Sequence, residues 1–495
     1  MAGSTPERIE RLAEGQLVLV GGDRAVRVDA ALAAAFAPGD RLIVAGDELV
    51  HVPVAEQRVA AAAIDAASAA VAPLAECSDA QIDDFFERFA ALLADDAVFA
   101  RIDAANRDDV ERALSRGRST TRLVLDDAMR TGMIAGLRMW RDRTGGRDDV
   151  MRSVTHDGWS IEVRRAPLGV VAFVFEGRPN VLADAAGVVR TGNTAVLRIG
   201  SDALATAEAI VAAALEPALA DAGLPPGAVS LVASPAHAAG WALFADRRVA
   251  LAVARGSGPA VAQLGAIARG AGVPVSLHGT GGAWMIVAAE AEPSRLEAVV
   301  ASSLDRKVCN TVNVCAVERS GADRLLPAVL AGARRAAVDR SARLVVHAVG
   351  DAEHLVRTIV GDDPDVVVDA IDVAHLGREW EWEDDPEFTV CLVDDIEEAV
   401  ALCDMHSPHF VVSVIGGPGA AGDELLERVY RRVDAPFVGD GFTRWVDGQY
   451  ALGEPELGLS NWEGGRLLGR AGVLSGDSVH TLRLVARFDD PTIHR

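Results

Sequence analysis

The chain is short of aromatic residues, of basic side chains and of cysteine. Aromatics make up 5% of its 495 residues. Lys and Arg total 48 against 72 Asp and Glu, a formal net charge of −24. That deficit argues against nucleic acid or an anionic membrane as partner, because binding either one rests on cations that neutralise phosphates. It leaves room for an anionic small substrate, since local arginines override the global field; otherwise the acidity reads as a solvated, self-repelling surface. The five cysteines, Cys77, Cys309, Cys315, Cys391 and Cys403, are odd in number, scattered and without a CxxC pair. This pattern fits neither a disulfide framework nor a zinc site. His406 and His409 have no third ligand at suitable spacing, so no metal is expected. No uninterrupted apolar run of spanning length and no basic-then-apolar leader occurs, so a cytoplasmic protein without a membrane partner is expected.

What is present is hydrophobic: half the residues, mostly Ala, Val and Leu. The length suggests two or three domains. Residues 1–55 read as a separate accessory element: a short helix at about 6–13, a strand over Gln16–Val20, then a hairpin over Arg41–Ala45 and Glu48–Pro53 turning at Gly46-Asp47. Residues 56–145 have apolar residues at helical spacing, as in Phe85, Phe86, Phe89, Leu92 and Leu93. From Gly169 onward, continuous apolar runs such as Gly169–Phe175 alternate with helical stretches. That pattern predicts a doubly wound α/β fold with buried parallel strands and ligands at their carboxyl ends. Ser201 is placed to cap a long helix over 202–221. A second α/β region starts at about 290. Trp159–Arg164 and Val479–Phe488 both alternate and predict a two-stranded exposed flap whose edges invite another subunit.

Several stretches can carry chemistry. Arg306-Lys307-Val308-Cys309-Asn310-Thr311 sets a thiol two residues after a cation pair, which lowers a thiol pKa and favours the nucleophilic thiolate. Phe175-Glu-Gly-Arg-Pro-Asn180 ends a buried strand; Asn180 is either an oxyanion donor or the N-cap of the next helix. Arg198-Ile-Gly200-Ser201 follows another strand and can offer backbone N–H groups to phosphates, with Arg198 reaching a ribose or a 2′-phosphate. Arg255-Gly256-Ser257-Gly258 either admits a cofactor close to the backbone or is an ordinary turn. His278-Gly-Thr-Gly-Gly282 can line a site but has no glutamate near it. Thr443–Gly448, Leu452–Gly458 and Arg470 put arginines in a glycine-rich segment suited to carboxylate or phosphate.

In their order along the chain these motifs resemble those of the γ-glutamyl phosphate reductase (glutamate-5-semialdehyde dehydrogenase) family, a branch of the aldehyde dehydrogenase superfamily. The segments that carry the likeness are Arg165–Val171, Phe175–Asn180, Thr191–Arg198, Val308–Thr311, Thr443–Gly448 and Leu452–Glu454. The resemblance covers about residues 58–488 and implies an aldehyde dehydrogenase-like fold. Residues 56–290 would be the cofactor-binding domain, with a flap strand at about 151–166. Residues 291–435 would be the catalytic domain carrying Cys309, and 436–495 the substrate loop and an oligomerisation strand. It implies NADPH-dependent reduction of an acyl phosphate, γ-glutamyl phosphate foremost, as in proline biosynthesis. Cys309 would form the thioester, with Asn180 and the Cys309 backbone N–H holding the oxyanion. Cofactor contacts would come from Arg198, Gly200, Ser201, Arg255, Gly256, Ser257 and one of Glu381 or Glu383. Substrate contacts would come from Arg178, Asn310, Thr311, Arg444, Asp447 and Arg470. The absent glutamate near 278 then makes sense, because an acyl-phosphate reductase keeps water from its thioester. A homo-oligomer, dimer or tetramer, and an amino-acid kinase supplying the substrate are the implied partners. Two alternatives stand beside this reading: an enzyme of the same fold using a CoA thioester or another acyl phosphate, and a catalytically weak partner of such a kinase. The extension 1–55, Cys315, and the bulk of Tyr450, Trp462 and Trp445 depart from the family pattern.

Overall fold

The structure, a computed structural model, describes residues 8–143, 146–446, 450–451, 453, 456–460, 472–475, 479–490 and 492–493, of which 456–460 and 472–475 by backbone alone. The chain forms two compact units. One comprises residues 1–277, 454–458 and 474–495, the other residues 278–453 and 459–473.

The first unit is built on a five-stranded sheet in the order Val275–His278, Val249–Arg255, Val170–Phe175, Thr194–Ile199, Val229–Leu231. The last four pair in parallel, so Arg255, Phe175 and Ile199 lie side by side at their carboxyl ends. Every residue of Val170–Phe175 and of Thr194–Ile199 is buried. Val171, Phe173 and Phe175 enter one core with Phe85, Phe86 and Phe89. Val170, Ala172 and Val174 enter the opposite core. Burial on both faces is why these strands read as unbroken apolar runs. The helices Asp79–Ala94, Asp96–Ser115 and Asp127–Asp142 start where the sequence supplies caps: Ser78 in a capping box with Gln81, then Asp95, then Asp126.

Three local expectations are corrected. Residues 8–13 are not helical; Leu12 is instead buried with Val28 and Phe36 beneath the hairpin Leu17–Gly21/Arg24–Arg27, and so short a segment cannot repay helix nucleation alone. Ser201 opens a 3-10 turn, Ser201–Ala203, and its side chain makes no capping hydrogen bond. The helix after it is interrupted by a π turn at Val211–Leu215. The flap has three antiparallel strands, ordered Thr481–Phe488, Trp159–Ala166, Val150–His156. Trp159 stacks on His156 at 4.2 Å and on Phe488 at 5.5 Å. Buried Asn193 ties this C-terminal segment to the sheet. It accepts from the N–H groups of Leu168 and Gly169 and donates to Thr191 Oγ1 and the Val479 carbonyl. Val54–Glu76 and Ser201–Asp221 are long and apolar enough to span a bilayer by length and composition. Both bury part of that surface in the cores of this unit, Ile64 and Leu74 from one and Ile210 and Leu215 from the other.

The second unit is a seven-stranded parallel sheet in the order Val366–Ile371, Leu344–Val349, Glu387–Val393, Val312–Glu318, Ala283–Val287, Val411–Ile415, Phe437–Gly439. Met285, Val287, Cys315 and Val317 face the helices Pro293–Ser303, Ala322–Asp339 and Ala352–Val360. Trp284, Ile286, Val314 and Ala316 face Ile396–His406 and Ala420–Tyr430. Successive residues thus point into different cores, and the sheet is doubly wound.

Candidate active site

In the second unit, Cys309 sits on a turn that leads into the central strand Val312–Glu318. The turn is closed by its own residues. Val308 N–H donates to Thr311 Oγ1 at 2.9 Å, Thr311 Oγ1 donates to the Arg306 carbonyl at 2.7 Å, and Thr311 N–H donates to the Val308 carbonyl at 3.0 Å. Asn310 is buried and donates to the Val446 carbonyl at 2.8 Å. Asn310 and Thr311, read as substrate contacts, are thus seen building the turn.

The 281–283 segment runs alongside. Gly282 N–H donates to the Cys309 carbonyl at 2.7 Å and Ala283 N–H to the Thr311 carbonyl at 2.8 Å. The approach at Gly281 leaves no room for a side chain: a Cβ there would lie 2.7 Å from the Cys309 carbonyl oxygen and 2.8 Å from its Cα. Glu379 closes the arrangement, accepting from Gly281 N–H at 2.6 Å and from Lys307 Nζ at 2.6 Å.

Cys309 is half-buried and packs beside Ala283, Phe410 and Val446. The other four thiols are buried. Burial pushes Cys391 and Cys403 up to about 12 and Cys315 higher, and also raises Cys77. Cys309 is therefore the thiol suited to nucleophilic work. The expected activation by Lys307 is modified, because that charge is matched by Glu379. Arg444, which pairs with Asp305, interacts electrostatically with Cys309. Burial holds the Arg444 guanidinium below its ordinary value, while the charges of Asp305 and Cys309 act in the opposite direction. Asp305, Arg306, Arg335, Asp339, Arg444 and Tyr450 line a cavity of about 470 Å³. Its mixed charges suit a small ligand with both a carboxylate or phosphate and an ammonium group.

Glu381 and Glu383 are exposed, flanking buried Trp382. The glutamate at the Cys309 turn is Glu379, which the sequence reading passed over. Glu379-Trp-Glu-Trp-Glu383 offers three similar carboxylates, and only the tertiary path of 281–283 selects the first. His278 is buried edge-to-face against Phe410 at 5.5 Å. Asp447 and Arg470 lie outside the described residues.

In the first unit, the carboxyl ends of the parallel strands gather the other expected residues. Glu176 Oε1 lies 2.8 Å from Arg178 Nε and 3.3 Å from Arg255 Nε, and the Arg255 guanidinium stacks 4.7 Å over Phe175. Asn180 occupies the N-cap position of Val181–Ala186 without a side-chain capping bond; its Nδ2 donates to Asp184 Oδ2 at 3.3 Å. Burial pushes the Asp184 carboxyl up to about 6 against the pull of Arg255 and Arg178. This carboxylate was not foreseen from sequence. Arg198 is buried and donates to the Pro235 carbonyl at 2.9 Å. Burial lowers its pKa, against Glu56. Gly200 meets Gly177 so closely that a Cβ would lie 2.5 Å from the Gly177 nitrogen. Ser257 and Gly256 precede the fourteen-residue helix Gly258–Ala271, whose N-terminus has no side-chain cap. Among the described residues, Arg198 Nε and Arg255 Nη2 are buried without a hydrogen-bond partner. Buried guanidinium donors at the strand ends, with an uncapped helix N-terminus following Arg255, fit an anionic dinucleotide.

The sequence model of the aldehyde dehydrogenase family matches residues 43–355. Among curated relatives, γ-glutamyl phosphate reductase of Afipia carboxidovorans is 31% identical over 72% of this chain and 80% of its own. That of Rhizorhabdus wittichii is 32% identical over 75% and 81%. The crystal structure of γ-glutamyl phosphate reductase from Thermotoga maritima superimposes with a TM-score of 0.75 at 23% identity, covering 88% of this chain and all of the other. A Rhodopseudomonas palustris propionaldehyde dehydrogenase with bound propionyl-CoA shares the fold at a TM-score of 0.60 and 15% identity, over 87% of this chain and 94% of its own.

Proposed function

Since the chain belongs to the aldehyde dehydrogenase family, in its γ-glutamyl phosphate reductase branch, we propose that it reduces γ-glutamyl phosphate to the semialdehyde through a thioester on Cys309. The observation that carries this is the Cys309 turn. It presents one half-buried thiol in electrostatic reach of Arg444, beside the 281–283 segment, where the Glu379 carboxylate has both oxygens engaged. The Glu379 carboxylate is thus occupied by Lys307 and Gly281, which suits an acyl enzyme that exchanges with phosphate.

The thiolate attacks the acyl carbon, the bond from that carbon to the phosphate oxygen breaks, and phosphate leaves. When bound, the nicotinamide cofactor of this family, proposed here as NADPH, would supply the hydride for the thioester carbon. Collapse of the resulting oxyanion on Cys309 breaks the C–S bond, returns the Cys309 thiolate and releases the aldehyde. The Cys309 backbone N–H is assigned to the oxyanion, and so is the Asn180 amide, oriented by Asp184. Arg198, Gly200, Ser201, Arg255, Gly256 and Ser257 are the residues that would hold the cofactor, Arg198 through a 2′-phosphate. Arg444 would take the substrate carboxylate or phosphate. Five thiols without a disulfide fit a cytoplasmic enzyme. The flap edge Thr481–Phe488, with Leu482 and Leu484 exposed, fits a homo-oligomer.

The test is acceptor dependence. Purified protein is given glutamate 5-semialdehyde and NADP⁺ with phosphate, with CoA, or with neither, and NADPH is followed by absorbance. Turnover that requires phosphate and vanishes in Cys309→Ala is the expected result. Turnover supported by CoA, or by water alone, overturns the acyl-phosphate assignment.

A further inference from the structure

Lys307 is the chain's only lysine; every other guanidinium- or ammonium-bearing side chain is arginine. It stands two residues before Cys309 with its side chain 7% exposed, paired at 2.6 Å to a Glu379 that is 14% exposed. An ammonium buried at that depth needs a matched charge, and Glu379 is that match. The second oxygen of Glu379 takes the Gly281 N–H, and the next N–H, of Gly282, holds the Cys309 carbonyl. One carboxylate thus reaches the Cys309 turn by two routes, an electrostatic one through Lys307 and a mechanical one through Gly281.

We infer that Glu379 is a positioning residue for Cys309, cancelling the Lys307 charge beside the thiol and fixing the 281–282 backbone against it. This rests on Cys309 being the nucleophile. Other charged or titratable groups around the turn are Asp305 and Arg306 on its own segment, Arg444 from the Thr443–Trp445 turn, and His278 against Phe410. With Lys307 neutralised, its charge no longer adds to those of Arg306 and of Arg444, the latter paired with Asp305, in favouring the thiolate. Glutamine at 379 removes the compensating charge and, having one acceptor oxygen, also one of the two hydrogen bonds.

The experiment reads the pH midpoint of Cys309 alkylation by iodoacetamide in the full-length protein without substrate, alongside turnover. Glu379→Gln moves the midpoint to lower pH by about one unit, because Lys307 then acts on the thiolate uncompensated, and turnover falls about tenfold or more. Lys307→Met moves the midpoint the opposite way, and Glu379→Asp, which keeps the charge, restores it. A midpoint unchanged in both Glu379→Gln and Lys307→Met overturns the inference, as does loss of turnover with no shift, which is what a merely structural role produces. Because alkylation needs no acyl substrate, its outcome is independent of which acyl group the enzyme reduces, and an active Cys309→Ala would signal failure of the nucleophile assignment instead.

Discussion

Replacing Gly281 by alanine tests the packing that holds the nucleophile. The new Cβ would stand 2.7 Å from the Cys309 carbonyl oxygen and 2.8 Å from both Cys309 Cα and Glu379 Oε1. Ordinary contact begins at 3.4 Å, so the two backbones must separate by about 0.7 Å. Neither Cys309 atom belongs to a flexible side chain, and the turn is held by Thr311 and Asn310, so relief comes from shifting the nucleophile itself. Overpacking of this kind costs about 1–3 kcal/mol of stability. A displacement near 1 Å at the reacting group costs on the order of 100-fold in kcat. The assay is phosphate-dependent turnover beside thermal unfolding. Gly132→Ala is the control: it lies in the helix Asp127–Asp142 with nothing within 4 Å of the added methyl, and it should keep kcat while gaining up to about 1 kcal/mol. Wild-type kcat in Gly281→Ala would refute the argument.

Other outcomes follow from burial and hydrogen bonding. At pH 8 a thiol reagent should modify Cys309 fast and Cys77, Cys315, Cys391 and Cys403 only after unfolding, read by peptide mass spectrometry of the native and denatured protein. Asp184 has a folded pKa of about 6 against an ordinary 3.8, so its native state holds the proton more tightly. Its contribution is fully present below pH 3.8 and lost as pH rises through 6, a swing of about 3 kcal/mol. Asp184→Asn should therefore stabilise the protein at pH 8 and not at pH 4, compared by urea unfolding. Asn193→Ala leaves the Leu168 and Gly169 N–H groups and the Val479 carbonyl without their partner, and should cost about 2–4 kcal/mol in the same measurement.

The two doubly wound sheets were legible because their strands are buried on both faces. A run such as Val170–Phe175 has no polar alternation to mislead, and the helices beside it announce their starts with Ser78, Asp95 and Asp126. The flap strand expected at about 151–166 is two strands, Val150–His156 and Trp159–Ala166; the first is largely exposed and owes its state to pairing with the second, which local pattern does not report. The Cys309 segment stood out by its neighbours in sequence, and the structure does gather Cys309, Asn310, Thr311 and Arg444 in one unit. Lys307 was read for its charge alone; its partner lies 72 residues away, and a compensating carboxylate at that separation leaves no trace in spacing. Asp184 escaped notice for a different reason. Its place one turn after Asn180 looks like an ordinary helical acid until burial and the Asn180 amide give it a role.

The central claim is that acyl transfer passes through Cys309 and ends on phosphate. Intact-mass measurement tests it most directly, with enzyme mixed with glutamate 5-semialdehyde and NADP⁺ in phosphate-free buffer. One equivalent of NADPH and one acyl adduct on Cys309 are expected, the adduct stable until phosphate is added and then discharged. An adduct on another residue, or steady NADPH formation with no adduct and no need of phosphate, would contradict it.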